Sequence, residues 1–449
     1  MKPGRIDLSG MHERVRDLPQ MYRLPPPRHE KREFAQHNFD RPELASLSHE
    51  QRWTRNSERP EAQRSDGGLE FALGSIVEVL SLSSLANVFA VCILLDRQHH
   101  DGSATRHVAR PFADMTTVRS ATLDRSLHAV VISRTSLLYA GGSDARADRP
   151  AYVRAASSVA WVDDRIAVIQ DDANFVALVD PANGDVRSVA LPRGEEGFRH
   201  FDDRRGNKKY KLDLEACVTI PGDDGPLLLA FGSGSTRQRR QVATVDRWRG
   251  DPPRVRMTDA TALYERLEAE SDFAGSDMNV EGALFAAGAV RLFGRGNGAA
   301  RRDLVPLNAT CALPLDALLE YLRRPATFPT PEPCNVVQYT LGEYSGVALG
   351  FTDATSLGDS ILYSAAAESS ADASVDGPVS GSVLGVISSL GRVRYTPLVD
   401  DAGRPLLDKV EGVVLSRTSA NRAHLVVDHD DASRPSELCQ VELVGSWGE

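Results

Sequence analysis

The chain has 449 residues, a formal net charge of −10, 25% charged residues and 41% hydrophobic ones. That balance belongs to an ordinary soluble globular protein. It excludes broad nucleic-acid binding, because phosphate contacts need a basic footprint. Five cysteines (Cys92, Cys217, Cys311, Cys334, Cys439) are odd in number and far apart, with no C-x-x-C spacing. They argue against a disulfide framework or a structural zinc site and suit a reducing, cytoplasmic compartment.

Residues 1–68 are dense in Arg, His, Glu, Gln and Pro without a sustained apolar period. Such a stretch cannot bury enough surface to offset its ordering entropy, so disorder is expected there. Val79 to Leu95 is an uncharged run of seventeen residues that carries four serines or asparagines. It lies at the lower edge of a membrane span. Its readings are a weak anchor, a helix docked on the following domain, or a start codon assigned too early, with Met115 the true start. A charged leader this long disfavours a secretory signal. Residues 1–114 are therefore set apart as an extension, disordered or non-native, and a membrane role is not expected. Residues 115–449 form the working domain, expected to be a monomer.

From there the pattern is strand-like. HAVVISRTSLLYAG (His128 to Gly141) comes first. Five short stretches then repeat a small or acidic pair opening a β-type run: Ser157-Ser158, Glu215-Ala216, Glu281-Gly282, Asp353-Ala354 and Glu411-Gly412, at spacings of 58, 66, 72 and 58 residues. After the first pair come VAWV, IAVIQDD, FVALVD and VRSVALP, four strands joined by Asp, Asn and Gly turns. The second repeat reads CVTI, PLLLAFGSGS, QVATVDRW and a segment near Val255 to Met257, followed by a helical insert, ALYERLEAE. The third reads EGALFAAG, AVRLFGRGNG and LVPLNATCAL, a short helix LDALLEYLRR, then VVQYTLG. The fourth reads DATSL, SILYSAAAES, SVLGVISSL and RVRYTPLVD. The fifth supplies EGVVLSR, HLVVDHDD and LCQVELV and stops one strand short. Periods of this size predict an all-β fold, a single β-propeller of five blades, with six as the alternative count. An open propeller leaves sheet edges exposed, so His128–Gly141 is expected to close the last blade.

In a blade, the start of the first strand and the tip after the second share one face. The starts carry Ser157, Glu215, Glu281, Asp353 and Glu411; the tips carry Asp171, Asp172, Arg295, Glu368 and Asp428 to Asp431. Four carboxylates around a narrow axis must either raise their pKa values or share a cation. Oxygen ligands without His or Cys select hard cations, so Glu215, Glu281, Asp353 and Glu411 are candidate ligands for Ca²⁺, with Mg²⁺ second. The alternative is that these acids cap strand starts. Glu215, Glu281 and Glu411 are also the candidate catalytic groups. GFRHFDDRRGNKKYKLDLE (197–215) leads into Glu215 and is rich in cations, including Arg199, His200, Lys208 and Lys209. It reads as a basic flap over the funnel, or as a solvated loop. With Asp171, Asp172 and Arg295, its cations form the expected contacts to a small anionic ligand. GRGNG (294–298) is not followed by a helix and is no dinucleotide fingerprint.

RAASSVAWVDDRIAVIQDDANFVALVD, RHFDDRRGNKKYKLDLEA, LLLAFGSGS, NVEGALF, GFTDA and KVEGV resemble an uncharacterised bacterial β-propeller family, over roughly 320 residues. More distantly the chain is similar to esterase-like phytase domains, whose propeller centre carries acidic residues. That likeness implies a metal-dependent hydrolase of a small anionic ester or phosphoester, its cation polarising the substrate and activating water. The alternative is a non-catalytic ligand- or protein-binding propeller using the same face.

Overall fold

The computed structural model describes residues 116–250, 252–369 and 377–448. The expectations for residues 1–114, with the apolar run and the start at Met115, fall outside them. Two strands come first, β1 (Thr117–Leu123) and β2 (His128–Ser136). Antiparallel meanders follow, each built from successive strands. The first is β3 (Ala156–Val162), β4 (Arg165–Gln170), β5 (Phe175–Val179) and β6 (Val186–Ala190). The second is β7 (Leu214–Gly222), β8 (Gly225–Gly232), β9 (Gln241–Asp246) and β10 (Arg254–Asp259). The third is β11 (Val280–Ala286), β12 (Ala289–Gly294), β13 (Asn308–Pro314) and β14 (Cys334–Thr340). After the two-residue β15 (Glu343–Tyr344) come β16 (Val347–Leu357), β17 (Ser360–Glu368), β18 (Val379–Ile387) and β19 (Val393–Asp400). The last meander holds β20 (Lys409–Leu415), β21 (Arg422–Asp428) and β22 (Glu437–Val444), and β2 is its fourth strand.

β2 pairs antiparallel with β22 from His128↔Val444 to Ser136↔Glu437, so the N-terminal segment closes the ring. The meanders pack face to face through hydrophobic clusters, one between each neighbouring pair, the last joining the final meander to the first. Strand periodicity explains how one strand serves two clusters. Along β4, Ala167 and Ile169 face the second meander, while Ile166 and Val168 face the last one. Both faces of the sheet are covered, so the strand reads as an unbroken apolar run. The fold is an all-β propeller.

Two features depart from the expected layout. β1 pairs parallel to β14 through Thr117–Ser120 and parallel to β19 through Ala121–Leu123, covering the outer edges of two sheets at once. Unpaired edges invite aggregation, which gives this short strand a role. A one-turn helix is also added in the second insert. There α1 (Thr261–Glu268) and α2 (Ser271–Ala274), with α3 (Leu315–Arg323) from the third meander, place Leu263, Tyr264, Leu267, Phe273, Leu318 and Tyr321 in the cluster between the second and third sheets. Among the described residues, no helix is long and apolar enough to cross a membrane.

Candidate functional site

The innermost strands β3, β7, β11, β16 and β20 share a local irregularity. Each shifts register by one residue against its partner: between Ala156 and Ser158, Leu214 and Ala216, Val280 and Gly282, Phe351 and Asp353, and Val410 and Gly412. A bulge leaves one residue unpaired and re-aims its side chain. The residues so released are Ser157, Glu215, Glu281, Thr352 and Glu411. Four of them, all but Thr352, line a cavity of about 260 Å³.

The fourth strand corrects the expected ring of acids. Its bulged residue is Thr352, whose Oγ1 donates to Ser364 at 2.9 Å. Asp353 stands one residue further on, and a one-residue slip turns a side chain to the other face. Asp353 does not line the cavity; it is fully buried, and its Oδ2 accepts from Val413 N–H at 3.0 Å. Burial pushes its carboxyl well above the usual range, against backbone donors from Val413, Ala354 and Val159 and the Ser158 hydroxyl. It stitches β16 to β20 and β3 and cannot share a metal with Glu215. The equivalent positions elsewhere are small because the inner strands converge. A Cβ on Gly282 would lie 3.0 Å from Asp353 Cα, and one on Gly412 3.1 Å from Ser158 Cα.

The second-strand tips do converge on the same cavity, bringing Asp171, Asp172, Arg295, Glu368 and Asp428 to its wall. The 197–215 segment contributes in part: Lys208, Arg204 and Lys211 line the cavity, whereas Arg199, His200 and Lys209 do not. Arg199 Nε donates to Leu191 O at 2.6 Å. Lys209 lies 4.7 Å from the Tyr210 ring centroid. His200 touches Arg154 and stands 3.5 Å from Asp202; burial and then Arg154 and Arg205 push its imidazole down to about 4, so it is neutral at pH 7. His429 is held by Asp408 at 3.1 Å and lies off the cavity wall.

Charge compensation comes from the chain itself. Arg295 reaches Glu368 at 2.6 Å and Glu281 at 3.4 Å, and Lys409 reaches Glu411 at 2.8 Å and Glu368 at 3.3 Å, giving an alternating row from Glu281 to Glu411. Gly350 makes room for it, since a Cβ there would stand 2.8 Å from Arg295 Cγ. On the opposite side Lys211 reaches Asp171 at 2.5 Å, Asp213 at 2.8 Å and Asp172 at 3.7 Å, and Arg239 reaches Asp213 at 2.9 Å. Glu215 lies between these rows and makes no hydrogen bond or ion pair with any described residue.

The protonation states diverge accordingly. Burial, then Asp171, Asp213 and Glu281, hold the Glu215 carboxyl well above its usual range. Burial also raises Glu411 and Asp171 well above theirs, and Glu281 and Asp172 less, despite their cations. For Asp213 burial acts upward, but Lys211 and Arg239 outweigh it and hold it below the ordinary range. For Lys211 burial acts downward and is outweighed by Asp171, Asp213 and Asp172, so the ammonium stays charged.

Oxygens of Asp171, Asp213 and Glu215 lie within 4.8 Å of one another, close enough to hold a metal ion. Of the four expected ligands, Glu215 alone belongs to this cluster. The fit is poor, because the Lys211 ammonium already sits on two of the three carboxylates.

Glu368, expected at a second-strand tip, and Lys211, expected in the basic flap, both line the cavity, whereas sequence reasoning missed Arg154, Asp213, Arg239 and Lys409 as site residues. For Lys409 a signal was present: in a strand, residue i−2 shares the face of residue i, and Lys409 stands two before Glu411 in β20. Asp213 precedes β7 with a φ of 56°, so no strand alternation points to it.

The solved structures this chain is similar to include the glutaminyl cyclase of Myxococcus xanthus, at 10% identity and a TM-score of 0.35, spanning 74% of this chain and 99% of that one. They also include the α-L-arabinofuranosidase of Podospora anserina, at 10% identity and a TM-score of 0.33, spanning 73% and 96%. The Cps50 (Swd1) β-propeller domain of Myceliophteria thermophila follows at 11% and 0.27, spanning 66% and 73%. At such values these likenesses say nothing of what the chain does. No curated protein matches it. Residues 152–443, which hold all five inner strands in full and every cavity-lining residue named above, match the model of a family of unknown function, and the chain belongs to that family, DUF6929.

Proposed function

We propose that the funnel is a hydrolytic site for a small polar molecule, in which Glu215 carries the proton. The observation behind this reading is the state of Glu215: it opens into the cavity, has no partner among the described residues, and holds its proton far above the ordinary carboxylate range. Such a carboxyl remains protonated near neutrality and is free to protonate a leaving group. Asp213, two residues before it, stays ionised and stabilises positive charge developing in the cavity. Carboxyl groups whose pKa values are pushed apart divide acid and base roles in this way. The unit at work is residues 115–449, acting as a cytoplasmic monomer.

A second reading keeps the metal. Asp171, Asp213 and Glu215 would hold Ca²⁺, or Mg²⁺ in second place, and Arg154, Arg204 and Lys208 in the cavity lining would receive a small anionic phosphoester, as the phytase resemblance implies. That ion has to compete with Lys211, which favours the first reading.

The test is hydrolysis by the full chain of chromogenic glycosides, carboxyl esters, lactones and phosphomonoesters, with calcium and with chelator. Glu215→Gln should lower kcat/KM on the accepted class by roughly 10²- to 10⁴-fold, the usual contribution of a general acid, with turnover indifferent to chelator. Turnover that needs calcium would support the second reading. Ligand binding without turnover would make the propeller a receptor, and full activity of Glu215→Gln would end the first reading.

A further inference from the structure

One enclosed acceptor in the funnel lacks a donor. Glu411 is 6% exposed and lines the cavity; its Oε1 faces Lys409 at 2.8 Å, but its Oε2 is enclosed with no hydrogen-bond partner among the described residues. The donors around it are engaged elsewhere. Arg295 is held by Glu281 and Glu368, and Asn279 Nδ2 donates to Glu281 at 2.6 Å. Arg295 Nε, itself without a partner among the described residues, sits against Gly350, where an added Cβ would be 3.0 Å away. Twelve carboxyl side chains and seven cationic ones line the cavity, and no aromatic ring is among the described residues that line it.

An enclosed acceptor without a donor is incomplete, and burial holds the Glu411 carboxyl above its usual range. A cation supplies a donor and also favours the ionised carboxylate; a neutral polyol supplies a donor alone, and an anion opposes ionisation. Without an aromatic face, a cation is recognised by hydrogen bonds and not through a π-system, which selects an ammonium that still has N–H groups. We propose that the funnel takes a ligand carrying a primary or secondary amine, whose ammonium donates to Glu411 Oε2 and lies beside Glu215 and Glu281. This rests on the funnel being the ligand site proposed above, and it names the class of substrate.

The experiment is calorimetric titration of the full chain with ethanolamine, 1,4-diaminobutane, tetramethylammonium, glycerol and inorganic phosphate. Ethanolamine and diaminobutane should bind, tetramethylammonium at least tenfold more weakly, and glycerol and phosphate not measurably. Glu411→Gln should weaken ethanolamine at least tenfold. If that variant does not fold, the contrast between ethanolamine and tetramethylammonium on the unaltered chain decides the point. Equal binding of tetramethylammonium, or preferential binding of phosphate or glycerol, overturns the amine while leaving the funnel a ligand site. Silence from every probe with hydrolysis intact also overturns the amine alone; silence with no hydrolysis removes both proposals.

Discussion

Lys211 is the structural counter-ion of the site, and its removal has a calculable consequence. Its side chain is 6% exposed and touches Asp171 at 2.5 Å and Asp213 at 2.8 Å. Lys211→Met keeps most of the length and packing and removes the charge. Breaking a buried pair by deleting one partner costs about 3–5 kcal/mol, because a charge is left uncompensated. Two features move the expectation to the low end. Asp171 already lies well above its ordinary range and takes up a proton easily, and Asp213 keeps Arg239 at 2.9 Å and the Ser233 hydroxyl. Near pH 7 the loss is then about 3 kcal/mol. A domain of about 330 residues unfolds with an entropy of about 0.7 kcal/mol/K, so Tm falls by about 4 °C. The penalty belongs to ionised carboxylates, so it narrows as pH falls toward 4 and they protonate in the variant. Calorimetric melting of both proteins between pH 4 and 8 measures this. Equal Tm at pH 7, or a gap independent of pH, would refute the reasoning.

The raised carboxyl of Asp353 means that the folded chain keeps a proton which the unfolded chain releases near pH 4. Native stability therefore declines as pH rises from there to the folded value, and Asp353→Asn should remove that decline and match or exceed the parent at pH 8. Asp353→Val, which deprives Val413 N–H of its acceptor, should cost about 1–3 kcal/mol; denaturant titration at pH 5 and 8 checks both. Deleting residues 128–141 should uncover the edge of β22 and abolish cooperative melting, and unchanged melting would contradict the closure. A chain beginning at Met115 retains β1 and should unfold cooperatively, whereas one beginning at Arg125 lacks it and should aggregate, because β14 and β19 lose their cover; light scattering on the two chains separates them.

Much of the fold was legible because each sheet has a cluster on both faces, and strands such as IAVIQ and LLLAFG then read as apolar runs between turn residues. β1 was not legible. TVRSATL has no buried residue, and its pairing is parallel and depends on two distant strands. The site was legible where the bulged position carries Glu next to a small residue, as at Glu215-Ala216, Glu281-Gly282 and Glu411-Gly412. The same rule misled at Asp353-Ala354, because the bulge there releases Thr352 and the acid takes the position that is small elsewhere. The basic flap was half legible: charge marks the segment, but only the folded loop decides that Lys208 faces the cavity while Arg199 turns to the Leu191 carbonyl. Arg239 reaches the site from a short 3₁₀ turn whose position no local pattern encodes.

The central claim is that Glu215 holds a proton inside the funnel at physiological pH, and infrared difference spectroscopy reads it directly. Subtracting the spectrum of Glu215→Gln from that of the parent at pH 7 should leave the carbonyl stretch of a protonated carboxylic acid, because burial and the neighbouring carboxylates hold Glu215 well above its usual range. A difference spectrum showing only carboxylate bands at pH 7 would contradict the account, because an ionised Glu215 has no proton to give.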